Sequence, residues 1–167
     1  DAARYPEHRA RVALLHALRE RLARESNRLA LFDSSAKSTV EQVRLIQASR
    51  INLSAGAAAD DAGERSWGLP ERCYGIPACG GFLLSDARRH AADDFVAGKE
   101  WVDYADLEDC VSKIRHYLAH FDEARAIAEA AYARVTTHHT YGHRASQLMR
   151  AVRELRAPRQ SEREGPA

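Results

Sequence analysis

The 167-residue chain lacks any Cys-x-x-Cys pair, and its three cysteines, Cys73, Cys79 and Cys110, form an odd, scattered set. That argues against a disulfide framework and against a zinc knuckle, and points to buried thiols. No apolar run approaches the ~20 residues that cross a bilayer, and no signal-peptide core opens the chain, so a cytoplasmic protein without a transmembrane segment is expected. An excess of either charge is also missing. The 25 Lys and Arg against 24 Asp and Glu give a formal net charge of +1, which offers no general reason to expect nucleic acid or an anionic membrane as partner. No Asp-x-Asp pair, Ser-His-Asp order, nucleophile elbow or internal repeat is present. The chain starts at Asp1 without an initiator methionine and enters a helical pattern almost at once, from which a piece of a larger protein is expected.

What is present describes one ordinary globular domain. Hydrophobic residues make up 45% and charged residues 29% of the chain, enough for a proper core. That domain is expected over residues 1–156, with the polar, Pro- and Gly-containing stretch 157–167 as a flexible tail. Arginines crowd residues 4–28 and 144–163, while carboxylates crowd 86–123. The arginine-rich helices read as solvated faces.

Hydrophobic spacing predicts the elements. Val12, Leu14, Leu15, Leu18 and Leu22 recur at helical spacing over residues 7–24, and residues 29–32 read as a short strand. Ser38 or Thr39 caps a second helix whose apolar face is Val40, Val43, Leu45, Ile46 and Ala48. Residues 51–54 form a strand candidate, and the Ala-, Gly- and Asp-rich segment 55–66 a long loop. After a strand at 82–84 and a weakly helical polar stretch at 86–98, residues 101–104 alternate as a half-buried strand does. Asp106 caps a helix that buries Leu107, Val111, Ile114, Tyr117 and Leu118; Asp122 opens another through Val135; and Thr140 caps a last one carrying Leu148, Met149, Val152 and Leu155. Strands alternating with helices imply an α/β fold with a parallel sheet, right-handed crossovers and a helical extension at the end. Ligands in such folds meet the loops after the strands, here 33–38, 55–68, 85–90 and 105–106.

Residues 67–86, WGLPERCYGIPACGGFLLSD, hold the densest signal. Pro70 suits a first helical turn, Gly68 lets the backbone approach a ligand, and Gly80 with Gly81 turns the chain into the apolar run Phe82, Leu83, Leu84. The free N–H groups and dipole of that helix favour an anion such as phosphate. His138, His139 and His143 invite a metal reading, but their spacing cannot place all three on one helical face and no carboxylate or cysteine sits beside them.

Four blocks in order, SRINLS at 49–54, IPACGGFLLSD at 76–86, DFVAGKEWVDYADLEDCVSKIRHYLAH at 94–120 and ARAIAEAAYARVTTHHTYGHR at 124–144, resemble the carboxyl-terminal domain of bacterial glycosyltransferases of the spore-maturation type. The resemblance covers roughly residues 40–150. It implies the Rossmann-like, donor-binding half of a two-domain B-type glycosyltransferase, with a nucleoside-diphosphate sugar as donor, an unidentified acceptor, and an acceptor-binding half outside this chain.

The resemblance further implies a site. Arg72 matches the arginine usual in the family's motif helix and would clamp a diphosphate in fork geometry. Lys99, in the Gly98-Lys99-Glu100 block, would neutralise phosphate, which makes Arg72 and Lys99 the candidate catalytic cations. Gly68, Glu71, Arg72, Gly75, Gly80, Gly81, Asp86 and Glu100 form the candidate substrate-binding set. The family commonly keeps an acidic residue where this chain has Gly75, and related retaining enzymes have a second one where it has Trp67. Glu71, one turn before Gly75 on the same face, is the substitute the spacing offers. No cofactor or metal is expected. The competing expectation is a non-catalytic α/β module that binds a nucleotide or a protein and has lost its glutamates.

Overall fold

The structure is a computed structural model that describes residues 8–25, 27, 29–31, 36–56 and 68–156. Its elements are α1 (His8–Ala23), α2 (Thr39–Ala48), β1 (Asn52–Ser54), α3 (Arg72–Ala78), β2 (Leu83–Asp86), α4 (Ala91–Asp94), β3 (Val102–Tyr104), α5 (Leu107–Ala119), α6 (Phe121–His138) and α7 (Tyr141–Arg156). The expected α/β arrangement is present. The sheet has the order β1-β2-β3, all parallel, with Leu53 opposite Leu84 and Leu84 opposite Val102.

Strand β2 shows why the sheet is covered on both sides. Neighbouring side chains on a strand point to opposite faces, and the two consecutive leucines accordingly enter different cores. Leu84 joins Leu18 and Leu22 of α1, Phe82, Val102, Tyr104 and the inner faces of α5 and α6. Leu83 joins Cys73 and Ile76 of α3, Phe95, Trp101 and Val135. Full burial of a leucine such as Leu84 contributes about 2 kcal/mol. Cys73 and Cys110 are buried and Cys79 is half-buried, all three as free thiols. Burial pushes the Cys110 thiol up to about 12.

The helix starts follow local chemistry. Ser38 and Glu41 form a capping box on α2, the Asp106 carboxylate accepts the Asp109 N–H at the start of α5, and the Thr140 hydroxyl accepts the His143 N–H at 3.3 Å. Gly80 turns the chain after α3 with a φ of 76°. Gly81 is required by crowding instead: a Cβ there would lie 2.6 Å from Ile46 Cγ2 and 2.8 Å from Asn52 Nδ2.

Several boundaries differ from expectation; β1 and β2 each begin one residue later than the expected strands, and β2 runs on to Asp86. Residues 29–31 carry no strand; Leu29 packs its side chain against the core beside α1, while the backbone joins no ladder, and position 32 lies outside the described residues. Within the polar stretch 86–98, Asp86 ends β2 and the only helix is the single turn α4. Trp101 makes an isolated bridge to Ala97 and precedes β3. Helix α6 begins at Phe121 and runs three residues past Val135, to His138. The tail at 157–167 and most of the 55–66 loop also lie outside the described residues.

Helix α7 is tied in at its first turns. Asp94 accepts hydrogen bonds from the Tyr74 hydroxyl and, at 3.2 Å, from Arg144, whose guanidinium lies over the Tyr74 ring. His139 donates from Nε2 to the Asp94 carbonyl and accepts from Arg144 at Nδ1, so both of its ring nitrogens are engaged; burial lowers its pKa. Beyond that anchor, α7 has no buried residue, and Leu148, Met149 and Leu155 are exposed. Among the described residues no helix is long and apolar enough to cross a membrane.

Candidate functional site

In a parallel sheet the strand carboxyl ends open together, and here β1 and β2 end side by side at Ser54 and Asp86. Asp86 organises this edge. Its carboxylate accepts the Gly56 N–H at 3.1 Å and pairs with the Arg88 guanidinium at 2.9 Å. Arg88 is thereby drawn inward, with its side chain only 3% exposed. Its Nη1 donates to the Gly68 carbonyl at 3.4 Å, while its Nε is buried with no hydrogen-bond partner among the described residues.

Backbone geometry supports this placement. A Cβ at position 56 would sit 1.5 Å from Arg88 Nη2, so the inward guanidinium needs glycine there. The Tyr104 hydroxyl, whose pKa is raised by burial and then by Asp86, donates to the Ser54 carbonyl at 3.0 Å and fastens the end of β1 to β3.

Arg72 enters from α3. Its Nε donates to the buried Ser54 hydroxyl at 2.8 Å, which fixes the fork of the guanidinium over the carboxyl end of β1. Its pKa is lowered chiefly by burial, and Arg11 and Arg88 add like-charge repulsion. Arg11 comes from α1, and its Nε is likewise buried without a partner among the described residues.

Between these groups lies a cavity of about 400 Å³, lined by His8, Arg11, Gly68, Leu69, Pro70, Arg72 and Arg88. Three arginines line it and, among the described residues, no carboxylate does. Like charges held this close repel, and two of the three arginines keep a buried N–H without a partner among the described residues, an arrangement that an anion would relieve. A guanidinium offers paired donors matched to phosphate oxygens. A larger groove of about 840 Å³ shares Arg11 and Arg72 and runs past Leu45, Ile51 and Leu53, beside β1.

The other sequence candidates divide by position. Glu71 is exposed at the start of α3 and lines the larger groove. Its carboxylate lies over Gly75: an added Cβ there would come within 2.6 Å of Glu71 Oε1. The missing side chain at 75 and the acid at 71 thus occupy one place. Gly80 and Gly81 precede β2, at the amino end of the sheet and away from the cavity. Lys99 and Glu100 precede β3 at that same far end. Glu100 accepts the Val96 N–H at 2.9 Å and faces Arg134 of α6, while Lys99 is exposed. The structure therefore brings Gly68, Arg72 and Asp86 together and leaves Lys99, Glu100, Gly80 and Gly81 apart. Trp67 lies outside the described residues.

Sequence reading missed Arg88 and Arg11. The 85–90 loop carries a signal for Arg88, a basic residue two positions beyond a strand-ending aspartate. Arg11 was indistinguishable from the other arginines of an amphipathic helix.

A family model described as glycosyl transferase-like matches residues 11–150, a span that takes in Arg11, Arg72 and Arg88. No curated protein and no solved structure gives a significant match.

Proposed function

The chain belongs to the glycosyl transferase-like family, and from that premise we propose that the arginine pocket binds the diphosphate of a nucleoside-diphosphate sugar. On this reading the chain is the donor-binding part of a glycosyltransferase of the spore-maturation type. The acceptor site would lie in a second half, and the reaction would take place in the cytoplasm. The observation that carries the reading is the convergence of Arg11, Arg72 and Arg88 on one cavity at the carboxyl ends of β1 and β2.

The proposed chemistry is electrostatic. As the bond from sugar to diphosphate breaks, negative charge grows on the leaving phosphate oxygens. Fixed guanidinium groups stabilise that charge more in the transition state than in the bound donor, which is the condition for acceleration. Arg72 is the proposed direct contact, because its Nε is already held by Ser54 and its remaining N–H groups are oriented. Arg88 and Arg11 complete the clamp, with Asp86 setting the position of Arg88. Glu71, folded over Gly75, is the proposed acceptor for sugar or ribose hydroxyls. Lys99 and Glu100 fall outside this site because they sit at the other end of β3.

The second reading, a binding module without chemistry, is favoured by Trp67 and Gly75, which stand where related enzymes carry acids. Calorimetric titration of the folded chain with uridine, guanosine and adenosine diphosphates tests the donor reading. Binding of at least one, weakened by added salt, is expected. No binding of any of the three would leave only the module.

A further inference from the structure

We propose that His116, His120 and Glu123 form a site for a divalent transition metal, with zinc as the fitting ion, that staples the junction of α5 and α6. Each of the three offers a ligand atom, and these atoms lie within 4.8 Å of one another. Two imidazoles and a carboxylate are a donor set that suits zinc.

The local fold explains why they meet. His116 and His120 are four residues apart at the end of α5, so they share one helical face. Their rings stack at 4.6 Å between centroids. His120 is both the last cap of α5 and the first of α6, with φ −115° and ψ 59°, and this abrupt junction brings Glu123, in the first turn of α6, back over the pair.

A hydrogen bond between the two histidines fixes one tautomer. The Nδ1 of His120 lies 3.0 Å from the His116 carbonyl, which only accepts, so Nδ1 carries the proton and donates. In the neutral ring the Nε2 lone pair is then free, and a backbone carbonyl on the far nitrogen is the usual support of a metal-bound imidazole. His116 Nε2 lies 2.8 Å from Glu123 Oε2, a separation occupied by one proton. A zinc ion would displace that proton. Tetrahedral bonds of about 2.0–2.2 Å place ligand atoms roughly 3.3 Å apart, so small side-chain torsions complete the site. Three protein ligands leave the fourth position to water.

This site is separate from the arginine pocket and does not rest on the proposed function. Helix α5 leaves the carboxyl end of β3 and carries His116 on the order of 15 Å along its axis, toward the other end of the sheet.

The test uses the untagged full chain, with zinc followed by calorimetry and thermal unfolding, and cobalt as a spectroscopic probe. One equivalent of zinc is expected, with a raised Tm that a chelator reverses, and cobalt should give the intense visible bands of a tetrahedral centre. All three side chains are exposed, so His120→Ala and Glu123→Gln should fold. Each should weaken zinc at least roughly tenfold and abolish the Tm rise. No stoichiometric binding, or binding unchanged in both variants, would overturn the proposal.

Discussion

Asp86→Ala is expected to destabilise the fold by about 3 kcal/mol, the scale for stripping a buried cation of its partner. Arg88 is held among Arg72 and Arg11 by one carboxylate, and the same carboxylate takes the Gly56 N–H. Without it, a guanidinium with 3% side-chain exposure has no counter-charge among the described residues. It must either stay, at the cost of its desolvation, or swing out and leave a void. Urea unfolding measures the loss. A second variant separates the charge from the packing: Asp86→Ala combined with Arg88→Met removes both partners and should recover most of the stability, because a methionine in that space requires no hydrogen bonds. A loss below about 1 kcal/mol for Asp86→Ala would mean that Arg88 is hydrated and that the tight edge described here is wrong.

Arg72→Ala should weaken nucleoside diphosphate binding by more than ~1.5 kcal/mol, or over tenfold, the scale of a charged hydrogen bond. The variant also leaves the buried Ser54 hydroxyl without its partner, which costs the fold about 1 kcal/mol. Affinity should therefore be measured well below the Tm. Arg72→Lys restores a positive charge but not the fork, and intermediate affinity is expected. Calorimetry on the three proteins decides the matter. Unchanged affinity in Arg72→Ala would remove this residue from the site.

Where a side chain satisfies its own neighbourhood, sequence shows the outcome. The caps at Ser38, Asp106 and Thr140, the doubly covered run through Leu83 and Leu84, and the face shared by Glu71 and Gly75 all depend on spacing of four residues or fewer. Residues 29–31 show the limit of that approach, since a short apolar run packs against a core with or without a ladder, and only the surrounding chain decides which. The pocket is a longer-range matter still. Arg11, Arg72 and Arg88 come from a helix, a second helix and a loop spread over 78 positions, and they converge only because β1 and β2 end together. The opposite case is the Gly98-Lys99-Glu100 block, whose side chains belong to the amino end of β3, a placement that follows from strand direction and not from residue type.

A crystal structure of the chain with a nucleoside diphosphate tests the central claim most directly. The two phosphates should occupy the cavity between Arg11, Arg72 and Arg88, with phosphate oxygens within hydrogen-bonding distance of the buried Nε of Arg88 and the free N–H groups of Arg72. Phosphates seated elsewhere, with that cavity closed by its own side chains, would contradict it.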